Sequence, residues 1–79
     1  MKNIELDVKK IIGKILKNKK IDWENSLYQN GIDSLNMLLI VTEIENHFKI
    51  TIPYEDLLIS NFETVGQICR LIAKIKEAE

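Results

Sequence analysis

The pentapeptide Gly31-Ile32-Asp33-Ser34-Leu35 is the stretch of this chain whose residues could do chemistry. It sets a serine at the predicted first turn of a helix. Its hydroxyl is expected to be exposed and to face the positive end of the helix dipole. That end favours a phosphate on the serine oxygen, because the first N–H groups of a helix have no partner within it. The same position suits a helix cap, whose side-chain oxygen accepts one of those N–H groups. The pentapeptide alone leaves both readings of Ser34 open. Direct catalysis by Ser34 fails on spacing. The single histidine, His47, lies on the same predicted helix, about 20 Å away at about 1.5 Å per residue.

Four helical segments must position this serine. In the first, Ile4, Val8, Ile11, Ile12, Ile15 and Leu16 recur at helical spacing, with lysines on the other face and Asn3 as the expected cap. The run Lys17-Asn18-Lys19-Lys20 is expected to end or follow it, where cations suit the negative end of the dipole. A long connection over 18–31 follows, pinned to the core by Ile21, Trp23, Leu27 and Tyr28 and closed by Gly31. The second helix is predicted from Ser34 to His47 or Phe48. One face (Met37, Ile40, Val41, Ile44, Phe48) has the spacing of a core stripe. Leu35, Leu38 and Leu39 lie off that stripe, at the same end of the helix as Ser34. A surface helix needs one apolar stripe, and a chain this small can hardly bury a helix on all sides, so the second stripe is read as a partner surface.

The third element is short, with Pro53 at its first position and Tyr54-Glu55-Asp56-Leu57-Leu58 giving about a turn and a half. The fourth opens on Thr64-Val65-Gly66-Gln67, which fits a capping box, and buries Val65, Ile68, Ile72 and Ile75. Gly66 weakens its first turn by about 1 kcal/mol relative to alanine, and close packing against a neighbour would explain its presence. Strand alternation and internal repeats are missing, so the expected fold is a small all-α bundle: three longer helices, a short third helix and a long loop between the first two.

Seventy-nine residues bound the function to one domain, without room for a deep active site beside a core. No apolar run approaches the roughly 20 residues of a membrane span, and the N-terminus lacks an apolar signal region, so the expected location is cytoplasmic. Net charge is −1, but residues 1–20 carry +5 and residues 21–63 carry −7, so Ser34 stands in the acidic segment. Nucleic acid is a poor partner for that surface, and a basic protein surface a natural one. Cys69 is the only cysteine and His47 the only histidine, which argues against a disulfide or a metal cage. Cys69 reads as a small core or boundary residue, Trp23 and Tyr28 as loop anchors, and Ser26 and Ser60 as loop or cap residues.

With the segments in this order, the chain resembles the acyl carrier proteins and the related peptidyl carrier domains. The resemblance spans essentially the whole sequence: Val8-Lys9-Lys10-Ile11-Ile12 in the first helix, Gly31-Ile32-Asp33-Ser34-Leu35 after a long loop, Glu43-Ile44-Glu45-Asn46-His47-Phe48, Ile50-Thr51-Ile52-Pro53, and Phe62-Glu63-Thr64-Val65 at the start of the last helix. It implies a single carrier domain over residues 1–79, of the acyl-carrier type of four-helix bundle. Ser34 would then bear a 4′-phosphopantetheine arm, installed from coenzyme A by a phosphopantetheinyl transferase that recognises Asp33. The arm's thiol would hold cargo as a thioester, so the chain itself would be a non-catalytic monomer. Its partners would be that transferase, an acyl- or aminoacyl-loading enzyme and downstream synthases or transferases.

One departure bears on subtype. Carriers of fatty acid synthesis tend to place acids along the helix after the serine. Here Asn36 and Leu39 occupy those positions, and acids appear only at Glu43 and Glu45. The expected partner surface is therefore Leu35, Asn36, Leu38, Leu39, Thr42, Glu43 and Glu45. Its apolar character resembles carriers of polyketide or nonribosomal peptide pathways. Three readings are carried forward: a free-standing acyl carrier of a specialised pathway, an aminoacyl or peptidyl carrier loaded by an adenylation enzyme, and an unmodified helical adaptor.

Overall fold

The computed structural model describes residues 2–17, 21–29 and 31–78, with the side chains of residues 2 and 3 outside the description. Three α-helices carry the fold: α1 (Lys2–Leu16), α2 (Ser34–Phe48) and α3 (Val65–Ala78). Between α2 and α3 lie two 3₁₀ turns, Tyr54–Asp56 and Ile59–Phe62. Among the described residues there is no strand, and no helix is long and apolar enough to cross a membrane. The all-α expectation holds. α1 packs against both α2 and α3.

The core follows the helical stripes. Val8, Ile11 and Ile12 are buried from α1, Ile40 and Ile44 from α2, and Val65, Ile68, Cys69, Leu71, Ile72 and Ile75 from α3. Met37, Val41 and Phe48 complete the expected α2 stripe as half-buried neighbours of this core. Burial of such side chains stabilises by about 1.5–3 kcal/mol each. α2 ends at Phe48 because Lys49 turns left-handed (φ 55°) and returns its N–H to the Glu45 carbonyl. At the other end of the chain order, the helix already includes Lys2, so Asn3 lies inside the first turn of α1 rather than before it. The expected lysine-rich helix end falls partly on residues 18–20, outside the described residues.

The third segment departs from expectation. Pro53 (φ −59°, ψ 146°) stands before the first 3₁₀ turn rather than inside a helix, and that turn closes at Asp56, where Leu57 N–H reaches the Tyr54 carbonyl. The second turn, Ile59–Phe62, was not legible as an element. The physical reason is burial: over 54–62 only Phe62 enters the core, so no apolar stripe exists to stabilise an α-helix of that length. Lys74 on α3 reaches Asp56 at 3.1 Å and Asn61 donates to the Asp56 carbonyl at 2.8 Å, which ties the first turn down.

The long connection is fastened to the far side of the bundle. Ile21 and Leu27 are buried, and Trp23 and Tyr28 pack against the core as anticipated. Leu27 N–H donates to the Glu63 carbonyl at 2.8 Å, and Gly66 N–H donates to the Trp23 carbonyl at 3.0 Å. The indole lies so close to Gly66 that a Cβ there would come within 2.6 Å of Trp23 Nε1. Close packing is thus the role of this glycine. Of the capping box, the Thr64 hydroxyl accepts Gln67 N–H at 3.0 Å.

Gly66→Ala separates propensity from packing. Propensity alone would raise stability by about 1 kcal/mol. The indole contact reverses the sign, with an expected loss of about 1–3 kcal/mol, read as a lower thermal midpoint by circular dichroism.

Candidate functional site

Gly31 opens the site with φ +106°, a conformation that side-chain-bearing residues rarely adopt, and Ile32 is then buried as an anchor. Ile32 N–H donates to the Leu27 carbonyl at 3.0 Å, so the serine arrives on a braced segment. Asp33 takes extended backbone angles (φ −120°, ψ −174°), and its Oδ1 accepts Asn36 N–H at 2.8 Å. Asp33 is therefore the cap of α2. Its other carboxylate oxygen makes no hydrogen bond among the described residues.

Ser34 is the first residue of α2 itself, and it is exposed. Its hydroxyl makes no hydrogen bond among the described residues. This resolves one of the two readings posed by the sequence. Capping falls to Asp33, one residue earlier, which leaves the serine oxygen unengaged. The N–H groups of the first two helical positions, Ser34 and Leu35, have no intrahelical acceptor and point out of the same end.

An apolar cleft of about 510 Å³ opens beside Ser34, lined by Tyr28, Asp33, Ser34, Met37, Leu38 and Ile59. Sequence reasoning missed Ile59 as a cleft residue and took Tyr28 only as an anchor. The signal was available in the run Tyr54, Leu57, Leu58 and Ile59, four large apolar side chains with no shared buried face. All four are exposed.

The second stripe of α2 is also exposed: Leu35 by 73%, Leu38 by 65% and Leu39 by 53%. Thr42 and Glu43 are exposed beyond them, while Asn36 is half-buried and its amide donates to the Gly31 carbonyl at 3.4 Å. Glu45 differs from these. It is half-buried, and its Oε2 accepts Ile52 N–H at 2.8 Å, fastening the segment after α2 to the helix. His47 lies at the other end of α2 from Ser34, with Nε2 3.1 Å from Asp7 Oδ2 on α1. Cys69 is fully buried, and burial first, then Glu5, pushes its thiol up to about 11.

An exposed, unengaged hydroxyl at a helix start suits attachment of an anionic group. The family described as "Phosphopantetheine attachment site" matches residues 7–72. This chain belongs to that family. The cofactor of the carrier family is 4′-phosphopantetheine, and the carrier fold accounts for the bundle seen here. A D-alanyl carrier protein of Streptococcus mutans is 28% identical over 78 residues, covering 96% of this chain and 99% of the relative. An acyl carrier protein homolog of Mycoplasmopsis pulmonis is 41% identical over 61 residues, covering 77% and 80%. A holo acyl carrier protein of Nitrosomonas europaea, solved by NMR, shares the fold with a TM-score of 0.79, 22% identity and full coverage of both chains. A chain from the crystal structure of Bradyrhizobium japonicum glycine:[carrier protein] ligase complexed with glycylated carrier protein gives a TM-score of 0.80 at 22% identity, over 86% of this chain and 96% of that one.

The division between cap and hydroxyl has a thermodynamic signature. Asp33→Ala is expected to cost about 1 kcal/mol through the lost cap, whereas Ser34→Ala is expected to stay within about 0.5 kcal/mol of the parent. Urea unfolding of the two variants measures both.

Proposed function

We propose that Ser34 is the attachment point of the 4′-phosphopantetheine arm and that residues 1–79 act as one non-catalytic carrier domain. The observation that carries this reading is the exposed, unengaged Ser34 hydroxyl at the first position of α2, with the cap supplied by Asp33. The residues present suit the group. A phosphodiester on Ser34 Oγ would be favoured by the outward N–H groups of the first turn and by the helix dipole. The cleft of Tyr28, Met37, Leu38 and Ile59 adjoins it with apolar walls. Once attached, the arm supplies a thiol on which an acyl group is held as a thioester.

The chain's own residues then orient and present the load. Asp33 spends one carboxylate oxygen on the cap and offers the other to a basic or metal-bearing group of a phosphopantetheinyl transferase. Leu35, Leu38 and Leu39 form the face that loading and downstream enzymes grip, with Asn36, Thr42 and Glu43 around them and Glu45 at the edge, where it also holds Ile52. Apolar contact supplies most of that affinity, and the acidic segment speeds encounter with basic partners.

For the cargo, an acyl intermediate of a specialised pathway fits this largely uncharged docking face. A second reading, an aminoacyl group placed by an adenylating enzyme, is supported by a relative of nearly equal length that is named as a D-alanyl carrier. Supplying the holo protein with amino acids, ATP and candidate adenylating enzymes, against acyl donors with acyltransferases, distinguishes the two by the mass added.

Co-expression with a broad-specificity phosphopantetheinyl transferase is expected to add the mass of one phosphopantetheine, and Ser34→Ala to abolish the gain. If a control carrier is modified and this chain is not, the carrier reading fails and an unmodified adaptor takes its place. Leu39→Glu is expected to slow loading by partner enzymes at a thermal midpoint within about 2–4 °C of the parent, as befits an exposed position. A larger thermal loss would make Leu39 a core residue rather than a docking one.

A further inference from the structure

Two residues belong both to the cleft beside Ser34 and to the shell packed on the core: Tyr28 and Met37. The other cleft residues, Asp33, Ser34, Leu38 and Ile59, are exposed. Tyr28 and Met37 are therefore the wall between the cleft and the interior of the bundle. That wall is pinned from one side of the cleft to the other. The Tyr28 hydroxyl donates to the Ile59 carbonyl at 3.1 Å and also contacts Met37 Sδ at 3.5 Å. The loop that carries Tyr28 is itself held by the neighbouring Leu27, fully buried and bonded to the Glu63 carbonyl. Burial, with Glu63 adding to it, raises the Tyr28 phenol above its ordinary range, so the hydroxyl keeps the proton it donates.

Behind this wall lies the buried core of the bundle. Leu27, Ile40, Ile44, Ile68 and Ile72 are all fully buried, and close-packed interiors do not admit a chain without displacing side chains. An alkyl group tethered near Ser34 thus meets an open apolar cleft on one side and a latched wall on the other.

We propose that Tyr28 is a specificity-determining latch. By bonding the Ile59 carbonyl across the cleft and backing Met37, it keeps an apolar group tethered at Ser34 in the surface cleft and out of the helical core. The consequence concerns substrate class. Short acyl or aminoacyl groups remain accessible to partner enzymes, while long alkyl chains gain no shelter inside the bundle. This meaning rests on the carrier reading of Ser34; the latch itself is a property of the unmodified chain and is tested there.

The test uses Ser34→Cys converted to a mixed disulfide by methyl or dodecyl methanethiosulfonate, with methanesulfinate leaving, and methyl-labelled protein observed by NMR. The fully buried Cys69 is shielded from the reagent. With Tyr28 present, the dodecyl group is expected to shift the methyl resonances of Met37, Leu38 and Ile59 relative to the methyl control and to leave Ile40, Ile44 and Ile68 in place. With Tyr28→Ala added, the shifts are expected to extend to those three isoleucines. Tyr28→Phe keeps the ring and removes only the hydrogen bond, and it is expected to move the same isoleucine resonances. This variant carries the test should the alanine variant not fold. Shifts at the buried isoleucines while Tyr28 is intact overturn the proposal. So does a dodecyl group that stays in the cleft in Tyr28→Phe, whatever the alanine variant does. Failure of a transferase to modify Ser34 would sink the carrier reading and leave this result standing.

Discussion

The stitching of the long loop to the α3 side of the bundle is the constraint on which the site depends. The loop leads directly into Gly31 and Asp33, yet it has no regular secondary structure of its own over 21–29. Its position is set by Leu27 N–H on the Glu63 carbonyl, by Gly66 N–H on the Trp23 carbonyl, and by the buried side chains of Ile21 and Leu27. A free loop of that length would deliver α2 in many orientations, and fixing it costs about 1–2 kcal/mol of backbone entropy per residue, which these contacts offset. Fastened at these points, it presents one start to α2, with the Ser34 hydroxyl outward. The helices supply the mass of the core, but the loop decides where the reactive oxygen points.

A second principle is the separation of tasks among adjacent residues. Ser, Asp and Asn compete for the cap of a helix, and Gly31-Ile32-Asp33-Ser34-Leu35-Asn36 contains one of each. Asp33 has the cap, Asn36 supplies the N–H that satisfies it, and Ser34 is left with nothing to hold. The same economy appears at Glu45. Its backbone carbonyl receives Lys49 N–H while its carboxylate receives Ile52 N–H, so one residue ends α2 and aims the following segment. The exposed leucines carry none of these duties, which leaves them available to partners.

Much of this was legible beforehand, and the reasons are physical. Helical spacing marked the stripes of α1, α2 and α3, because a small bundle leaves few alternatives for burying Ile12, Ile44 or Ile72. The start of α2 at Ser34 was legible from Gly31 and the polar pair that follows. The identity of the cap was not. Serine and aspartate are comparable caps, and only the extended backbone at Asp33 decides between them. The short helix expected over 53–58 misled for a related reason. Pro53 suits a helix start, yet none of residues 54–58 is buried, and the chain makes a 3₁₀ turn there and a second one ending at the buried Phe62. The cleft beside Ser34 joins Tyr28 to Ile59 across 31 residues of sequence, a pairing that periodicity cannot express.

The contact between Trp23 and Gly66 also gives the molecule a built-in reporter. Trp23 is the only tryptophan of the chain, and its indole rests on the first turn of α3 at the point where the loop is fastened. Its emission therefore reads the seam between loop and helix without any introduced label. A partner enzyme that pries the loop from α3 while gripping α2 would change the colour of that emission. One that docks on α2 alone would leave it as it is.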